Sequence, residues 1–165
     1  MTRTSASPRL SPAELGAIAR RIAANPALWA GLIRFDPWQR WYHRFAAGDR
    51  HEVWLLSWLP GQDTGFHDHG GSAGAFAVAR GSLRERIAPG GRPGPFGDAL
   101  EPGTVRSFGP RYLHDVRNDS ARAAVSVHVY SPPLTRMRRY RLTAGGLLRP
   151  EAADRQRVSP GTPSW

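Results

Sequence analysis

The sequence predicts a single all-β domain, a sandwich or a barrel, preceded by short helices. The chain has 165 residues, of which 40% are hydrophobic and 22% charged, so it has the length and composition of one globular domain. From residue 41 to residue 133, short apolar or alternating runs are separated by glycine and proline, which is typical of β-sandwiches and barrels. Helical spacing precedes this region.

The first predicted helix begins after Ser11. Ser11 can cap the helix, Pro12 stands where a missing N–H has no cost, and Glu14 completes a capping box. Apolar residues then repeat at helical spacing at Leu15, Ile18, Ala19 and Ile22. Pro26 ends this helix, and a second short helix is predicted over residues 28–33.

Five predicted strands are the clearest. They cover residues 53–59, 75–79, 82–87, 104–108 and 123–130. The segment 89–95, PGGRPGP, is predicted to be a surface loop because proline cannot donate to a central ladder. We expect one domain over residues 1–165, with a helical lead-in over 11–35, the β region over 41–142 and a loose polar tail over 149–165.

The chain contains no cysteine. Disulfides, thiolate metal sites, iron–sulfur clusters and a cysteine nucleophile are therefore excluded, and any metal site must be built from His, Asp or Glu. No run of about 18 apolar residues is present, and the N-terminus lacks the apolar core of a secretion signal. We therefore expect a cytoplasmic protein without a membrane partner.

All 23 basic residues are arginines, and the formal net charge is +10. Such a charge suggests nucleic-acid binding. The arginines are spread along the chain, however, and the one dense cluster, at residues 136–141, is not accompanied by a recognition motif. Charge alone gives non-specific attraction, so no specific nucleic-acid partner is expected.

His67 and His69 are separated by one residue. On an extended chain both side chains leave the same face, so two imidazoles can bind one metal ion. The alternative interpretation is a polar turn between two strands.

The wider spacing resembles the two motifs of the cupin superfamily, carried here by Gly61, His67, His69, Gly81, Gly103, His114 and Asn118. The resemblance implies a double-sheet jelly-roll barrel in which the histidines converge on a metal. Gly74 stands where cupins usually have a glutamate ligand, so the remaining three-histidine set is neutral. An anionic substrate such as a thiolate would supply the missing charge, and the spacing alone also suits zinc, copper or nickel.

Residues 125–130 alternate strictly between valines and polar residues. Ser126, His128 and Tyr130 therefore share one face of a strand. One interpretation is a polar face in water. The other is a hydrogen-bond relay in which Ser126 orients His128 and His128 orients the Tyr130 phenol.

Together these residues resemble the cysteine dioxygenase family of thiol dioxygenases. The similar stretches are His67-Asp68-His69 with Ser72, His114-x-Val116-x-Asn118, the run SVHVYSPP over residues 126–133, and Tyr42-x-Arg44. They cover about residues 41–133. Many animal members carry a cysteine at the Gly74 position that is crosslinked to the tyrosine. This chain cannot form that bond, so it is similar to the bacterial type with an unmodified Tyr130.

The resemblance implies three groups of site residues. The ligands of one Fe(II) per subunit would be His67, His69 and His114. The outer-sphere relay would be Ser126, His128 and Tyr130. The substrate carboxylate would be held by Arg44, with Tyr42 beside it, through two parallel hydrogen bonds. The alternatives are a surface arginine for Arg44 and a packed aromatic for Tyr42.

The implied reaction is the oxidation of L-cysteine by dioxygen to cysteine sulfinic acid, a step of cysteine catabolism. The alternatives are a dioxygenase for 3-mercaptopropionate or another small thiol, and a non-catalytic cupin that senses a small ligand. We expect the protein to act as a monomer.

Overall fold

The computed structural model describes residues 8–151. In this part of the chain one α-helix and ten strands are formed. They are α1 Pro12–Ala23, β1 Trp41–Ala47, β2 Glu52–Trp58, β3 Phe66–Asp68, β4 Ala73–Arg80, β5 Arg84–Ile87, β6 Val105–Phe108, β7 His114–Arg117, β8 Ala124–Ser131, β9 Arg138–Leu142 and β10 Leu148–Pro150. The predicted all-β class is confirmed.

The strands form two antiparallel sheets of five strands each, in the orders β1-β2-β8-β4-β6 and β10-β9-β3-β7-β5. Inward-facing side chains of the first sheet, such as Trp54 and Phe76, share an apolar cluster with Val116 of the second. The two sheets therefore enclose one interior between them, which is the double-sheet architecture that the cupin resemblance implies.

Helix α1 forms as the capping box predicts. Ser11 N donates to Glu14 Oε2 at 2.8 Å, and Glu14 N donates to Ser11 Oγ at 3.3 Å. The apolar stripe of the helix covers the outer face of the first sheet, where it packs with the valines of β8. As a result every residue of β8 is buried, on both faces of the strand.

The second predicted helix, over residues 28–33, does not form. The chain makes one 3₁₀ turn at Pro26–Leu28 and continues in irregular turns. Trp29 explains the difference, because its ring is buried and its Nε1 donates to the carbonyl oxygen of Ile22 at 3.1 Å. This contact turns the chain back onto the end of α1 rather than extending it as a helix.

The five predicted strands correspond to β2, β4, β5, β6 and β8, with ends shifted by one or two residues. The segment 89–95 lies between β5 and β6, as predicted, and includes a 3₁₀ turn at Pro89–Gly91. Strand β10 pairs with β9 and includes the first two residues of the expected tail. The rest of that tail, residues 152–165, lies outside the described residues. No helix within residues 8–151 is long and apolar enough to cross a membrane.

Candidate metal centre

Three histidines meet at the inner face of the second sheet. His67 on β3 and His114 on β7 are cross-strand partners, and His69 follows one residue after the end of β3. Directly paired residues project from the same face of a sheet, which brings the two rings together. One nitrogen from each of the three histidines lies within 4.8 Å of the other two, and all three side chains are buried.

Hydrogen bonds leave inward nitrogens available on these rings. His67 Nδ1 lies 3.0 Å from the carbonyl oxygen of Gly65, and His114 Nδ1 lies 2.7 Å from Glu85 Oε1. Both acceptors require the proton on Nδ1, so we assign the lone pair to Nε2 in each ring. Among residues 8–151, neither nitrogen of His69 nor Nε2 of His114 has a hydrogen-bond partner. Buried nitrogens without partners are costly, and a metal ion would satisfy them.

Burial also keeps two of the rings in the form that binds metal. It lowers the pKa of His67 and of His69 well below the ordinary value, and the neighbouring histidines lower both further. The imidazoles are therefore neutral at pH 7, with lone pairs free for coordination. The His69 ring is held in place between the rings of Phe108 and Tyr130, at centroid distances of 4.9 and 5.0 Å.

The polar face of β8 forms a hydrogen-bonded chain beside these rings. Ser126 Oγ lies 2.8 Å from His128 Nε2, and His128 Nδ1 lies 3.2 Å from the Tyr130 hydroxyl. The three side chains are at most 4% exposed, so this face does not lie in water. The structure brings together the three residues that the alternation placed on one face.

Trp58 determines which groups donate and which accept in this series of hydrogen bonds. Its Nε1 donates to Ser126 Oγ at 2.9 Å, and an indole N–H can only donate. The Ser126 proton is then directed to His128 Nε2, which accepts it, and His128 Nδ1 carries the ring proton toward the oxygen of Tyr130. We therefore assign the Tyr130 proton to the interior, where it can be donated to a bound molecule.

Tyr130 keeps that proton at neutral pH. Burial raises the pKa of its hydroxyl above the ordinary value, and the negative charge of Glu52 raises it further. Burial likewise lowers the pKa of His128 well below its ordinary value, so the ring between Ser126 and Tyr130 is neutral. The chain is thus a set of neutral donors and acceptors rather than an ion pair.

Gly74 pairs directly with Tyr130 across β4 and β8. A Cβ atom added at Gly74 would lie 2.6 Å from the Phe108 ring and 2.9 Å from Tyr130 Cδ1. Such contacts are too short, so any side chain here would displace one of these rings. Phe108 fills the space beside Tyr130, where the sequence has no cysteine to form a crosslink.

Arg44 and Tyr42 lie on β1 and are both half-buried. The Arg44 guanidinium carbon stands 5.8 Å from the centroid of the Trp54 ring, and Tyr42 meets the same ring edge-on at 6.2 Å. Burial raises the pKa of the Tyr42 hydroxyl. The predicted substrate-binding residues therefore both contact Trp54. Trp54 and Trp58 of β2 belong to the same buried cluster, and we call these two indoles the aromatic wall.

Arg40 is a second arginine at this wall, and the sequence motif missed it. It is only 8% exposed, its guanidinium carbon lies 4.7 Å from the centroid of the Trp58 ring, and its Nη1 donates to the carbonyl oxygen of Asp63. Trp58 is the indole that donates to Ser126, so Arg40 packs on a residue that is hydrogen-bonded to the polar chain. A period of two along an extended chain places residues 40, 42 and 44 on one face, and this alternation was the signal that could have found it.

The charge of Arg40 acts on the same groups. It lowers the pKa of His67, of His128 and of Tyr130, as a nearby cation does. Burial lowers the pKa of Arg40 itself to about 10, and the charge of Arg139 adds to that effect. Arg40 remains a cation at pH 7. Arg139 is the cross-strand partner of His67 and leaves the sheet on the same face.

The model of a family described as "Cysteine dioxygenase type I" matches residues 10–142. This range includes α1, the three histidines, the β8 relay and both arginines of the aromatic wall.

Solved structures share the fold. The TT1209 protein from Thermus thermophilus is 26% identical, with a TM-score of 0.56 over 63% of this chain and 93% of that one. A protein with a double-stranded β-helix domain from Klebsiella pneumoniae is 17% identical, with a TM-score of 0.55 over 62% and 85%. A cupin superfamily protein from Desulfitobacterium hafniense is 16% identical, with a TM-score of 0.53 over 65% and 90%. The architecture is therefore that of a cupin.

Proposed function

Because the chain belongs to the cysteine dioxygenase type I family, we propose that it is an iron-dependent dioxygenase that converts L-cysteine to cysteine sulfinic acid. The observation that carries this proposal is the buried set of His67, His69 and His114, with the Tyr130 ring stacked on His69 and the Tyr130 hydroxyl bonded to His128. The three imidazoles fit one metal ion, because both nitrogens of His69 and Nε2 of His114 are buried without hydrogen-bond partners among residues 8–151.

Bound Fe(II) would supply the centre at which a thiolate and dioxygen come together and exchange electrons. Three neutral imidazoles do not compensate the charge of a divalent cation. They therefore favour an anionic partner, and a thiolate is the anion that a small thiol offers near neutral pH. A glutamate ligand would itself supply the negative charge, but Gly74 stands at the position where cupins usually have that glutamate.

Arg40 is proposed to hold the substrate carboxylate. Its guanidinium is buried beside Trp58 and the β8 relay, and a carboxylate entering the interior would offset the repulsion between Arg40 and Arg139. A guanidinium carries five donors, so the bond to the Asp63 carbonyl can persist while other N–H groups grip the substrate. Arg44, which the motif indicates, stays a prediction and is tested beside it.

Tyr130 is proposed to donate a hydrogen bond to an oxygen atom of the substrate carboxylate or of dioxygen. Ser126 and His128 hold the phenol in position and keep its proton directed inward. A preorganised donor of this kind stabilises negative charge that develops on oxygen during the reaction. Both atoms of dioxygen are transferred to sulfur, so the conversion of R–SH and O2 to R–SO2H needs no further reductant.

A second candidate substrate is 3-mercaptopropionate. The observation that supports it is the buried guanidinium of Arg40, which would bind the carboxylate of either thiol, since the two thiols differ only in the amine. The ratio of kcat/KM for the two thiols decides between them.

The test is oxygen uptake and sulfinate formation by the iron-loaded protein with each thiol, for the wild type and for His114→Ala, with iron analysis of both. We expect the wild type to bind one iron and to form sulfinate from cysteine, and His114→Ala to lose both. Faster turnover of 3-mercaptopropionate would reassign the substrate. If the iron-loaded wild type consumes oxygen with neither thiol, the remaining interpretation is a non-catalytic cupin that binds a small ligand.

A further inference from the structure

Glu85 is a buried carboxylate with no part in the function proposed above. It lies on β5, is 8% exposed, and its Oε1 lies 2.7 Å from His114 Nδ1. The Tyr112 hydroxyl donates to the same oxygen at 3.1 Å, and Arg106 Nε lies 3.4 Å from Oε2. The carboxylate thus contacts a candidate metal ligand, His114, and is held in place by Tyr112 and Arg106.

The pairing of β5 with β7 explains how Glu85 reaches this histidine. Ile87 lies directly opposite His114 in the antiparallel pair, and Glu85 lies two residues before Ile87 on the same face. Such diagonal neighbours are within reach of a long side chain. The contact is therefore built into the register of two strands rather than provided by a loop.

The contact has chemical consequences for His114. A carboxylate that accepts the Nδ1 proton fixes the tautomer and the ring orientation, and it makes the opposite nitrogen a stronger donor to a metal. His67 has only a backbone carbonyl in this role, and neither nitrogen of His69 has a partner among the described residues. Among these contacts, the one between Glu85 and His114 is the one that brings a carboxylate to a ring of the set.

We propose that Glu85 is a positioning residue of the metal centre that orients His114 and supplies negative charge one hydrogen bond away from the ligands. It takes the place of the carboxylate ligand that Gly74 leaves out, but acts through His114 instead of touching the metal. Tyr112 and Arg106 hold the carboxylate in place. The proposal rests on the metal site of the proposed function and is independent of thiol oxidation.

The experiment measures Co(II) binding, because the visible spectrum of this ion reports both affinity and ligand field. In Glu85→Gln the shape is kept and the charge is lost, whereas Glu85→Ala also removes the hydrogen bond. We expect both variants to bind Co(II) about 10–100-fold more weakly than the wild type, with Glu85→Ala the weaker, and with shifted absorption bands. Tyr112→Phe, which loosens the carboxylate, should show a smaller loss in the same direction.

Asp115→Asn is the matched control. Asp115 is the neighbour of His114 on β7, is equally buried, and points to the opposite face, where it binds Arg86 at 2.8 Å. This variant should lower the melting temperature and leave the Co(II) affinity of the folded protein within about twofold of the wild type. The melting temperature of each metal-free variant is recorded beside its affinity.

The proposal is overturned if Glu85→Gln and Glu85→Ala bind Co(II) as tightly as the wild type, or if Asp115→Asn weakens binding as much as they do. If Glu85→Ala does not fold, the isosteric Glu85→Gln decides alone. Failure of the iron-loaded wild type to oxidise any thiol would refute the proposed function and leave this result standing, since Co(II) binding does not depend on it.

Discussion

The two faces of β8 are buried to the same extent and do different work. Val125, Val127 and Val129 face outward and pack under helix α1, whereas Ser126, His128 and Tyr130 face the interior and bond to one another. Burial of an apolar side chain stabilises the fold by about 1.5–3 kcal/mol, while burial of a polar one costs free energy unless its partners are in place. The valine face of the strand therefore stabilises the fold. The polar face costs free energy to bury, which indicates a role in function rather than in stability.

Substitution of Tyr130 should show the largest effect, and it concerns activity. Tyr130→Phe removes the proton donor and keeps the ring that stacks on His69. We expect kcat/KM for cysteine to fall about 100-fold, as when one preorganised donor is lost, with iron content unchanged. Steady-state oxygen uptake and iron analysis of the same preparation measure this. Activity within threefold of the wild type would contradict the proposed role.

The next effect should come from acid, which destabilises the metal-free protein through its buried histidines, one of which, His128, lies on the polar face of β8. The pKa values of His67, His69 and His128 are depressed by burial, so below the unfolded value of 6.5 the unfolded chain binds protons that the folded chain does not. Stability is then lost as the pH falls through 6.5, by up to about 1.4 kcal/mol per pH unit for each histidine. Urea unfolding at pH 7.5 and about pH 5.5 measures the loss. An equal midpoint at both values would show that the rings are not buried as neutral groups.

The two arginines of the aromatic wall should differ in their effect on substrate binding. Arg40→Gln is expected to raise KM for cysteine about 10–100-fold, because a charge-assisted hydrogen bond contributes about 1.5–3 kcal/mol. Arg44→Gln, its matched control two turns of the alternation further along, on β1, should change KM less than threefold. Steady-state kinetics of both variants measure the difference. A larger increase in KM for Arg44→Gln than for Arg40→Gln would show that Arg44 binds the substrate carboxylate, as the motif predicts.

The valine face should give the smallest effect, and it concerns stability alone. Val127→Ala removes two methyl groups from the contact with α1 and should lower the free energy of unfolding by about 1.5–2.5 kcal/mol. Activity per folded molecule should stay within twofold of the wild type. Denaturant unfolding and oxygen uptake at low temperature check the two parts. A large drop in kcat with unchanged stability would mean that the two faces are not independent.

Short-range patterns in the sequence predicted β8, helix α1 and the pair His67 and His69. Alternation places Ser126, His128 and Tyr130 on one face, and a cap with a capping box begins α1. These features depend on close neighbours along the chain, whereas His114 was added to the predicted metal site through the resemblance to the two cupin motifs. The contacts between neighbouring rings and hydroxyls on β8 follow directly from the strand period.

The contacts that could not be predicted depend on pairing between distant segments. Glu85 reaches His114 through the register of β5 with β7, and the contact of Arg40 with the Trp58 ring depends on how the chain before β1 packs against β2. The missing second helix has a nearer cause, since the Trp29 indole donates to the carbonyl oxygen of Ile22, seven residues earlier in the chain. Register and tertiary packing are set by the whole fold, so they leave no local pattern in the sequence.

We propose that the three-histidine centre, with iron bound, transfers both atoms of dioxygen to a thiol held beside Tyr130. The most direct measurement is turnover of L-cysteine by the iron-loaded protein under isotopically labelled dioxygen, with the product analysed by mass spectrometry. We predict cysteine sulfinic acid in which both sulfinate oxygens carry the label, formed in equal amount to the dioxygen consumed. Cystine as the product, label in only one oxygen, or no oxygen uptake by protein that contains one iron per chain would contradict the claim.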